Sequence, residues 1–312
     1  MLIPAYNAGP GLKAALASVL VQTLDDLEVI VADDGSRDET VTWAESVARQ
    51  DARVRVLRAS VNRGAAAARN RALAVARGEW LALLDADDSY APDRLTRLVA
   101  LGEARQADVV ADNLALVSAT GRARGRALGA GDPIFSQPLS AATFARRNLF
   151  LTPGFKLGYL KPLFRRTFVE HHGLRQDERL RIAEDFHFLL EALLAGARCV
   201  IDEEARYRYR LTPGSLSRRL ALSDLQALSA ANRAVLERPE VQSDAALHRA
   251  LRQRQWSVDL NIEFTRFVDA LKRRRLRDAG GIFARHPSLT PFLAFYGMQS
   301  LRKRLPGGRD FV

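Results

Sequence analysis

The sequence predicts an α/β fold, a Rossmann-like and mostly parallel sheet, with a C-terminal helical extension. Three observations predict it. An apolar, β-rich run that ends in polar turn residues and passes into a helical pattern recurs four times in the first hundred residues, as expected for parallel strands joined by crossover helices. The polar clusters fall where those runs end, the edge at which such sheets bind ligands. Beyond Pro213-Gly214 the pattern is helical throughout. The expected organisation is a domain over residues 1–219, with halves at 1–112 and 113–219, and a helical basic region over 220–312.

Each element has a local reason. Leu2-Ile3 leads through Pro4-Ala5-Tyr6-Asn7-Ala8-Gly9 into a helix over about residues 12–22. Only three residues precede Pro4, against ~5–6 for an ordinary strand, so this strand reads as clipped and the start as truncated or misassigned. Residues 27–32 lead to Asp33-Asp34-Gly35-Ser36 and a helix over about 39–50. Residues 54–57 lead to Asn62-Arg63-Gly64 and an Ala-rich helix ending near Arg77. Residues 80–84 lead to Asp85-Ala86-Asp87-Asp88, and Pro92 starts the next helix, where its missing N–H costs nothing. The pattern loosens over about 113–160, with a loop at 121–131 and a short helix from Ser140 to Asn148. Residues 182–195 form an amphipathic helix, 198–201 and 205–209 two short strands, and 244–274 one long helix.

Composition excludes several classes. Of 312 residues, 47% are apolar and 27% charged, which suits a globular protein rather than a collagen, a rod or a disordered chain. Cys199 is the one cysteine, so no intrachain disulfide can form and a reducing compartment is the simplest setting. No run of about 18 apolar residues or signal-peptide pattern occurs. The formal charge of +11 is uneven, at −3 over residues 1–110 and +7 over each of 111–220 and 221–312. A basic protein invites phosphate-bearing partners. The P-loop, the G-x-G-x-x-G fingerprint and the G-x-S-x-G elbow are all missing.

Four sets of residues could carry chemistry. Asp85, Asp87 and Asp88 crowd three carboxylates at one turn, which a hard divalent cation would relieve while leaving positions open for phosphate oxygens; a solvated acidic turn capping the next helix is the plainer reading. A carboxylate of Asp33 or Asp34 could accept from a base or ribose, or could simply cap a glycine turn. Arg69, on a helix of small residues, could fork onto phosphate or lie on the surface. Glu184-Asp185 could supply a general base or merely suit a helix N-terminus. His171-His172 is a weaker candidate pair.

The order and spacing of Pro4-Ala5-Tyr6-Asn7, Val31-Ala32-Asp33-Asp34-Gly35-Ser36, Asn62-Arg63-Gly64 with Ala68-Arg69-Asn70, and Gly78-Glu79-Trp80 through Asp85-Ala86-Asp87-Asp88 resemble the donor half of glycosyltransferase family 2. The likeness continues more loosely through Lys161-Pro162-Leu163-Phe164-Arg165, Glu184-Asp185 and Tyr207-Arg208-Tyr209. The resemblance implies a GT-A fold and an inverting, metal-dependent hexosyl transfer, with Mg²⁺ or Mn²⁺, from a nucleotide sugar, UDP-sugars favoured. Under it Pro4, Tyr6, Asn7 and one of Asp33 or Asp34 would hold the nucleoside. Asn62 and Arg69 would support base and diphosphate, and Asp85 would touch ribose or metal. Asp87 would be the main metal ligand and Asp88 a second candidate, while Asp185 would deprotonate the acceptor hydroxyl. Ser215 or Arg218 would belong to a donor lid.

The acceptor expected from the resemblance is a glycan or a lipid-linked glycan in surface-polysaccharide assembly, in the cytoplasm or at the inner face of the membrane. Phe292, Leu293, Phe295, Tyr296 and Leu301, followed by Arg302-Lys303-Arg304, would suit an anionic membrane surface or a helix packed on the catalytic domain. Two rivals remain open at this level. One is a nucleotidyltransferase on a similar sheet, which would need basic residues in the first strand's loop; residues 4–10 hold none. The other is a nucleic-acid-binding protein, against which the presumed ligand rim is acidic.

Overall fold

The computed structural model describes residues 1–150, 152, 154–211, 221–290 and 293. It divides into two compact units, Met1–Ala141 with Leu157–Arg218, and Ala142–Lys156 with Arg219–Val312.

The first unit is built on parallel strands β1 (Leu2–Ala5), β2 (Val29–Asp33) and β3 (Val54–Arg58), paired in that order. Helices α1 (Gly9–Leu20) and α2 (Thr40–Gln50) make the crossovers, and α3 (Ala65–Leu73) follows β3. The register Leu2↔Ile30 through Ala5↔Asp33 carries β1 past Pro4, further than the sequence reading allowed. Proline removes one ladder donor, but its fixed φ suits an extended strand. On its other side β1 meets the chain after β4 (Trp80–Ala82), where the amide of Leu84 donates to the Leu2 carbonyl at 3.1 Å. Leu2, Ile3, Val29, Ile30, Val31 and Ala32 are fully buried, as both-face coverage of a parallel sheet requires. Helix α3 stops at Leu73 rather than near Arg77. Glu28 Oε1 captures the amides of Arg77 (2.5 Å) and Gly78 (3.0 Å) and turns the chain.

The second sheet is mixed, in the order β4, β8 (Leu163–Arg165), β6 (Val109–Ser118), β9 (Cys199–Leu211) and β5 (Ser89–Tyr90), with β7 (Ala123–Arg126) paired to β6. Strands β6 and β9 run parallel over their whole length, with register shifts at Asp112/Asn113 and Asn113/Leu114. The two short strands expected near 198–209 are therefore one strand bent at a bulge, as an unpaired extra residue bends a ladder. The loop expected at 121–131 contains the exposed strand β7. Helices α4 (Arg94–Ala104), α6 (Arg166–His171) and α7 (Glu184–Leu194) complete this unit.

The second unit holds α5 (Ala141–Arg146) and the helices α8 (Leu222–Leu236), α9 (Pro239–Ser243), α10 (Ala245–Lys272) and α11 (Leu276–Arg285). Helix α10 starts where Asp244 accepts from the amides of Ala246 and Leu247, both at 2.9 Å. It ends where Arg274 turns left-handed and the Arg275 amide returns to the Ala270 carbonyl at 2.8 Å. Arg254, 2% exposed, donates to the Asn148 carbonyl and ties the 142–156 segment to α10. Leu260, Phe267, Ala270, Ala279, Ile282 and Leu289 form a core. No helix among the described residues is long and apolar enough to cross a membrane. Ser215 and Arg218 lie outside the described residues, as do Phe292, Phe295, Tyr296, Leu301 and Arg302-Lys303-Arg304.

Candidate active site

The turns after β1, β2 and β3 meet at one edge and bind one another. Asp33, at the end of β2, accepts from the amides of Gly35 (3.0 Å) and Ser36 (3.1 Å). Asp34 Oδ2 accepts from the amides of Arg63 (2.8 Å) and Gly64 (2.6 Å), and Arg71 reaches its Oδ1 at 3.2 Å. Both carboxylates are buried and bonded to loop backbone, so they shape the rim. Gly35 is required there: its φ is +80°, and an added Cβ would lie 3.1 Å from Asn62 N. Asn7 is left-handed (φ +47°), takes the Arg37 amide on its Oδ1 at 2.8 Å and gives its own amide to Ser36 Oγ at 2.9 Å. Pro4 stays within β1 and Asn62 is half-buried beside Gly35. Tyr6 is 47% exposed at the end of β1.

The Asp85-Ala86-Asp87-Asp88 turn follows β4 and packs on the start of α1. Gly11 permits this approach, since a Cβ there would stand 2.8 Å from the Ala86 carbonyl oxygen. Asp88 faces inward, accepting from the Tyr207 hydroxyl on Oδ2 and the Arg210 amide on Oδ1, both at 2.7 Å. Burial, then Asp85 and Asp87, push its pKa up to about 8. Asp87 is the exposed member of the turn. Its carboxyl is raised first by desolvation in the cleft and then by Asp85. Asp85 lies between two cations: Arg69 Nη2 donates to its Oδ1 at 2.6 Å and Lys161 Nζ to its Oδ2 at 2.7 Å. Against the burial that would raise it, Lys161 and then Arg69 hold Asp85 well below the usual carboxylate range.

Arg69 and Lys161 extend across to α7. Arg69 Nη1 donates to Asp185 Oδ1 (2.9 Å), Glu184 Oε1 (3.0 Å) and Gln176 Oε1 (3.2 Å). Lys161 Nζ also donates to Asp185 Oδ2, and Gln176 Nε2 to Asp185 Oδ1 at 3.2 Å. Asp85, Arg69, Asp185 and Lys161 thus close a ring of alternating charge. The cations are buried, at 3% and 4% side-chain exposure, and the carboxylates are partly open at 25% and 12%. Burial alone would lower Lys161, but Asp185 and Asp85 outweigh it and hold the ammonium above its ordinary value. Glu184 is raised, by burial and then by Asp185. Neither acid caps α7; its first turn opens from Ala183 in a left-handed conformation (φ +58°), and both side chains turn to the cations instead.

Beneath the ring lies a second buried pair. Arg94 Nη2 donates to Asp112 Oδ1 (2.7 Å) and to the Lys161 carbonyl (2.7 Å). Asp112 Oδ2 accepts from the amides of Arg206 (3.0 Å) and Tyr207 (2.9 Å). The guanidinium also lies 4.1 Å from the Tyr90 ring centroid and 5.1 Å from that of Tyr207. One salt bridge therefore fixes the backbones of the two residues that contact Asp85 and Asp88.

Asp85, Asp87 and Asp185 meet two buried cations here, while Glu184 and Asp88 are pushed toward their neutral forms. That excess would repel a diphosphate unless a further cation accompanied it. Among the described residues no group of three or more His, Cys, Asp or Glu forms a ready cage for a metal. The exposed Asp87 and partly open Asp85 offer oxygen donors of the kind a Mg²⁺- or Mn²⁺-type ion takes while keeping water and phosphate oxygens in its shell. The residues fit such an ion, and both Asp88 oxygens accept bonds from Tyr207 and Arg210.

Arg69 is buried, not the surface side chain that its helix pattern also allowed. His171 and His172 are exposed and ring-packed with Phe168 and each other. Lys161, Gln176, Arg94 and Asp112 were missed as site residues. Only the apolar run flanking Lys161 hinted that a lysine there would be buried, and a buried lysine needs partners.

Residues 1–169 match the family described as Glycosyl transferase family 2. The chain is 36% identical over 278 residues to the succinoglycan biosynthesis protein ExoO of Rhizobium meliloti, spanning 89% of this chain and 78% of that one. It is 34% identical over 296 residues to ExoU of the same organism, also a succinoglycan biosynthesis protein, spanning 93% and 84%. The fold is shared with the solved S. aureus TarS in complex with UDP-GlcNAc, at TM-score 0.63 and 22% identity over 81% of this chain and 71% of that one. The mannosyltransferase PcManGT from Pyrobaculum calidifontis, solved with GDP-Man and Mn²⁺, gives TM-score 0.60 at 16% identity over 98% and 80%. By the family match and by both Rhizobium relatives, the chain belongs to glycosyl transferase family 2.

Proposed function

We propose that this chain is an inverting hexosyltransferase, moving a sugar from a nucleoside diphosphate, UDP favoured, to a hydroxyl of a glycan or lipid-linked acceptor in surface-polysaccharide assembly on the cytoplasmic side. The observation that carries the reading is the ring in which Arg69 and Lys161 join Asp85, at the donor-side strand end, to Asp185, at the start of α7. The family supports transfer chemistry, the Rhizobium relatives support the pathway, and the UDP-GlcNAc and GDP-Man complexes support the donor class.

Tyr6, exposed at the end of β1, offers a face for the base, with Pro4, Asn7 and Asn62 around it. Asp33 and Asp34 hold the loops that present these groups. Asp87 and Asp85 would hold a divalent ion, which when bound offsets charge on the leaving diphosphate. Arg69 and Lys161 supply fixed positive charge beside it. Asp185 takes the acceptor proton as the hydroxyl attacks in line. Neither the histidine pair nor a nucleic acid enters the reaction.

Nucleotide release from a panel of UDP-, GDP- and dTDP-hexoses, with Asp185→Asn as control, tests the reading. Release by the wild type that falls at least ~100-fold in the variant supports it. Equal rates would remove Asp185 as the base.

A further inference from the structure

A carboxylate offers about four lone-pair sites, and three on Asp185 are taken. Arg69 and Gln176 both donate to Oδ1, and Lys161 donates to Oδ2. The remaining site is on Oδ2, the oxygen that Lys161 holds. Lys161 is itself immobilised from behind, because its carbonyl accepts from the buried Arg94. Its ammonium spans Asp85 and Asp185, two carboxylates that would otherwise repel across the cleft.

We propose that Lys161 is the positioning residue of the transfer: it selects Asp185 Oδ2 as the oxygen that receives the acceptor proton, and its fixed charge is less compensated, and so acts more strongly on the leaving group, as that proton arrives. The inference rests on Asp185 being the base. The acceptor oxygen bonds to the anomeric carbon, the bond from that carbon to the phosphate oxygen breaks with its electron pair left on the diphosphate, and the hydroxyl proton goes to Oδ2. Asp185 is then neutral. Arg69 still has Asp85 and Glu184 as counter-charges, whereas Lys161 keeps only Asp85 among the described residues. Lys161 therefore drops from two carboxylate partners to one at the step when negative charge builds on the diphosphate. Fixed charge of this kind acts on the transition state and leaves ground-state donor binding little changed.

The test uses full-length protein and reads nucleotide released from the panel of UDP-, GDP- and dTDP-hexoses with water as acceptor. Lys161→Met should lower kcat by about 100-fold and move KM by less than about threefold. Lys161→Arg keeps the charge with displaced donors, and should recover about tenfold over the Met variant. In the Asp185→Asn background Lys161→Met should change kcat by less than about threefold, since residues acting as a unit are not additive. A Met variant with kcat near wild type, or whose loss multiplies fully with that of Asp185→Asn, overturns the proposal. If the Met variant does not fold, Lys161→Arg decides: a roughly tenfold loss of kcat at unchanged KM supports it and wild-type kcat overturns it. Wild-type protein that releases no nucleotide from any UDP-, GDP- or dTDP-hexose overturns the transferase reading, and this inference with it.

Discussion

Replacing Asp112 by Asn should destabilise the first unit more than any other single neutralisation near the cleft. Arg94 and Asp112 have 0% and 1% side-chain exposure. The carboxylate accepts from Arg94 Nε and Nη2 and from two backbone amides. Asparagine leaves the guanidinium buried without its counter-charge and turns an amide NH₂ toward groups that are all donors. Breaking a buried pair in this way costs ~3–5 kcal/mol. The unit has about 200 residues, and at ~2.1 cal/mol/K per residue its unfolding entropy is ~0.4 kcal/mol/K, so Tm should fall by ~7–12 °C. Calorimetric melting of the full chain reads this directly, and a fall under ~2 °C would refute the reasoning. The double variant Arg94→Met/Asp112→Leu separates packing from positioning. Swapping a buried pair for apolar residues is often neutral or better, so most of the Tm should return. The Lys161 carbonyl and the Tyr207 amide would still lack their anchors, and turnover should stay down about tenfold, as small misplacements cost rate. Wild-type turnover in the double variant would show that the pair only packs.

Other consequences are as direct. Gly35→Ala forces a side chain at φ +80° against the Val61–Asn62 backbone and should cost ~2 kcal/mol together with part of the nucleotide affinity; an unchanged melt would contradict the loop packing. Gly11→Ala should push the Ala86–Asp87 turn off α1 and weaken metal-dependent nucleotide binding, while nucleotide binding equal to wild type would mean the turn yields freely. Cys199 is fully buried, and burial pushes its thiol up to about 12. A disulfide reagent at pH 8 should therefore leave native protein unmodified and titrate one thiol per chain in denaturant; rapid reaction in the native state would show the β6–β9 sheet opening.

The parts of the fold with local signals were readable in the sequence. Each of the first four strand–turn–helix phrases is a run of apolar residues closed by its own turn chemistry, and the structure has all four strands in place. Beyond β4 the second sheet was only partly readable, because its two long strands, β6 and β9, carry polar residues in their middles. Asp112 and Asn113 interrupt β6, yet both are buried: Asp112 holds Arg94, and Asn113 bonds the backbone of Leu128 in both directions. Asp202-Glu203-Glu204 likewise makes β9 look like two strands, where the ladder with β6 bulges. In the site, the sequence order of the acidic turns pointed to the strand-end rim. The role of Arg69 was ambiguous because its partners Glu184 and Asp185 lie 115 and 116 positions away. Lys161 carried no spacing signal, since a lysine that bridges two distant carboxylates looks locally like any other. The carboxylates of Asp33 and Asp34 carry loop architecture that the motif alone did not show.

The central claim is that the carboxylate turn after β4 and the ring beside it form a metal-assisted nucleotide-sugar site. Calorimetric titration of UDP, GDP, CDP and dTDP, each with and without Mn²⁺, on wild type and on Asp87→Ala tests it most directly. Asp87 is exposed, so its loss should leave the fold intact. The account predicts that one nucleotide binds in the presence of Mn²⁺ and that the variant loses this binding at an unchanged Tm. Binding of equal strength with and without the metal, or retained in Asp87→Ala, would contradict it.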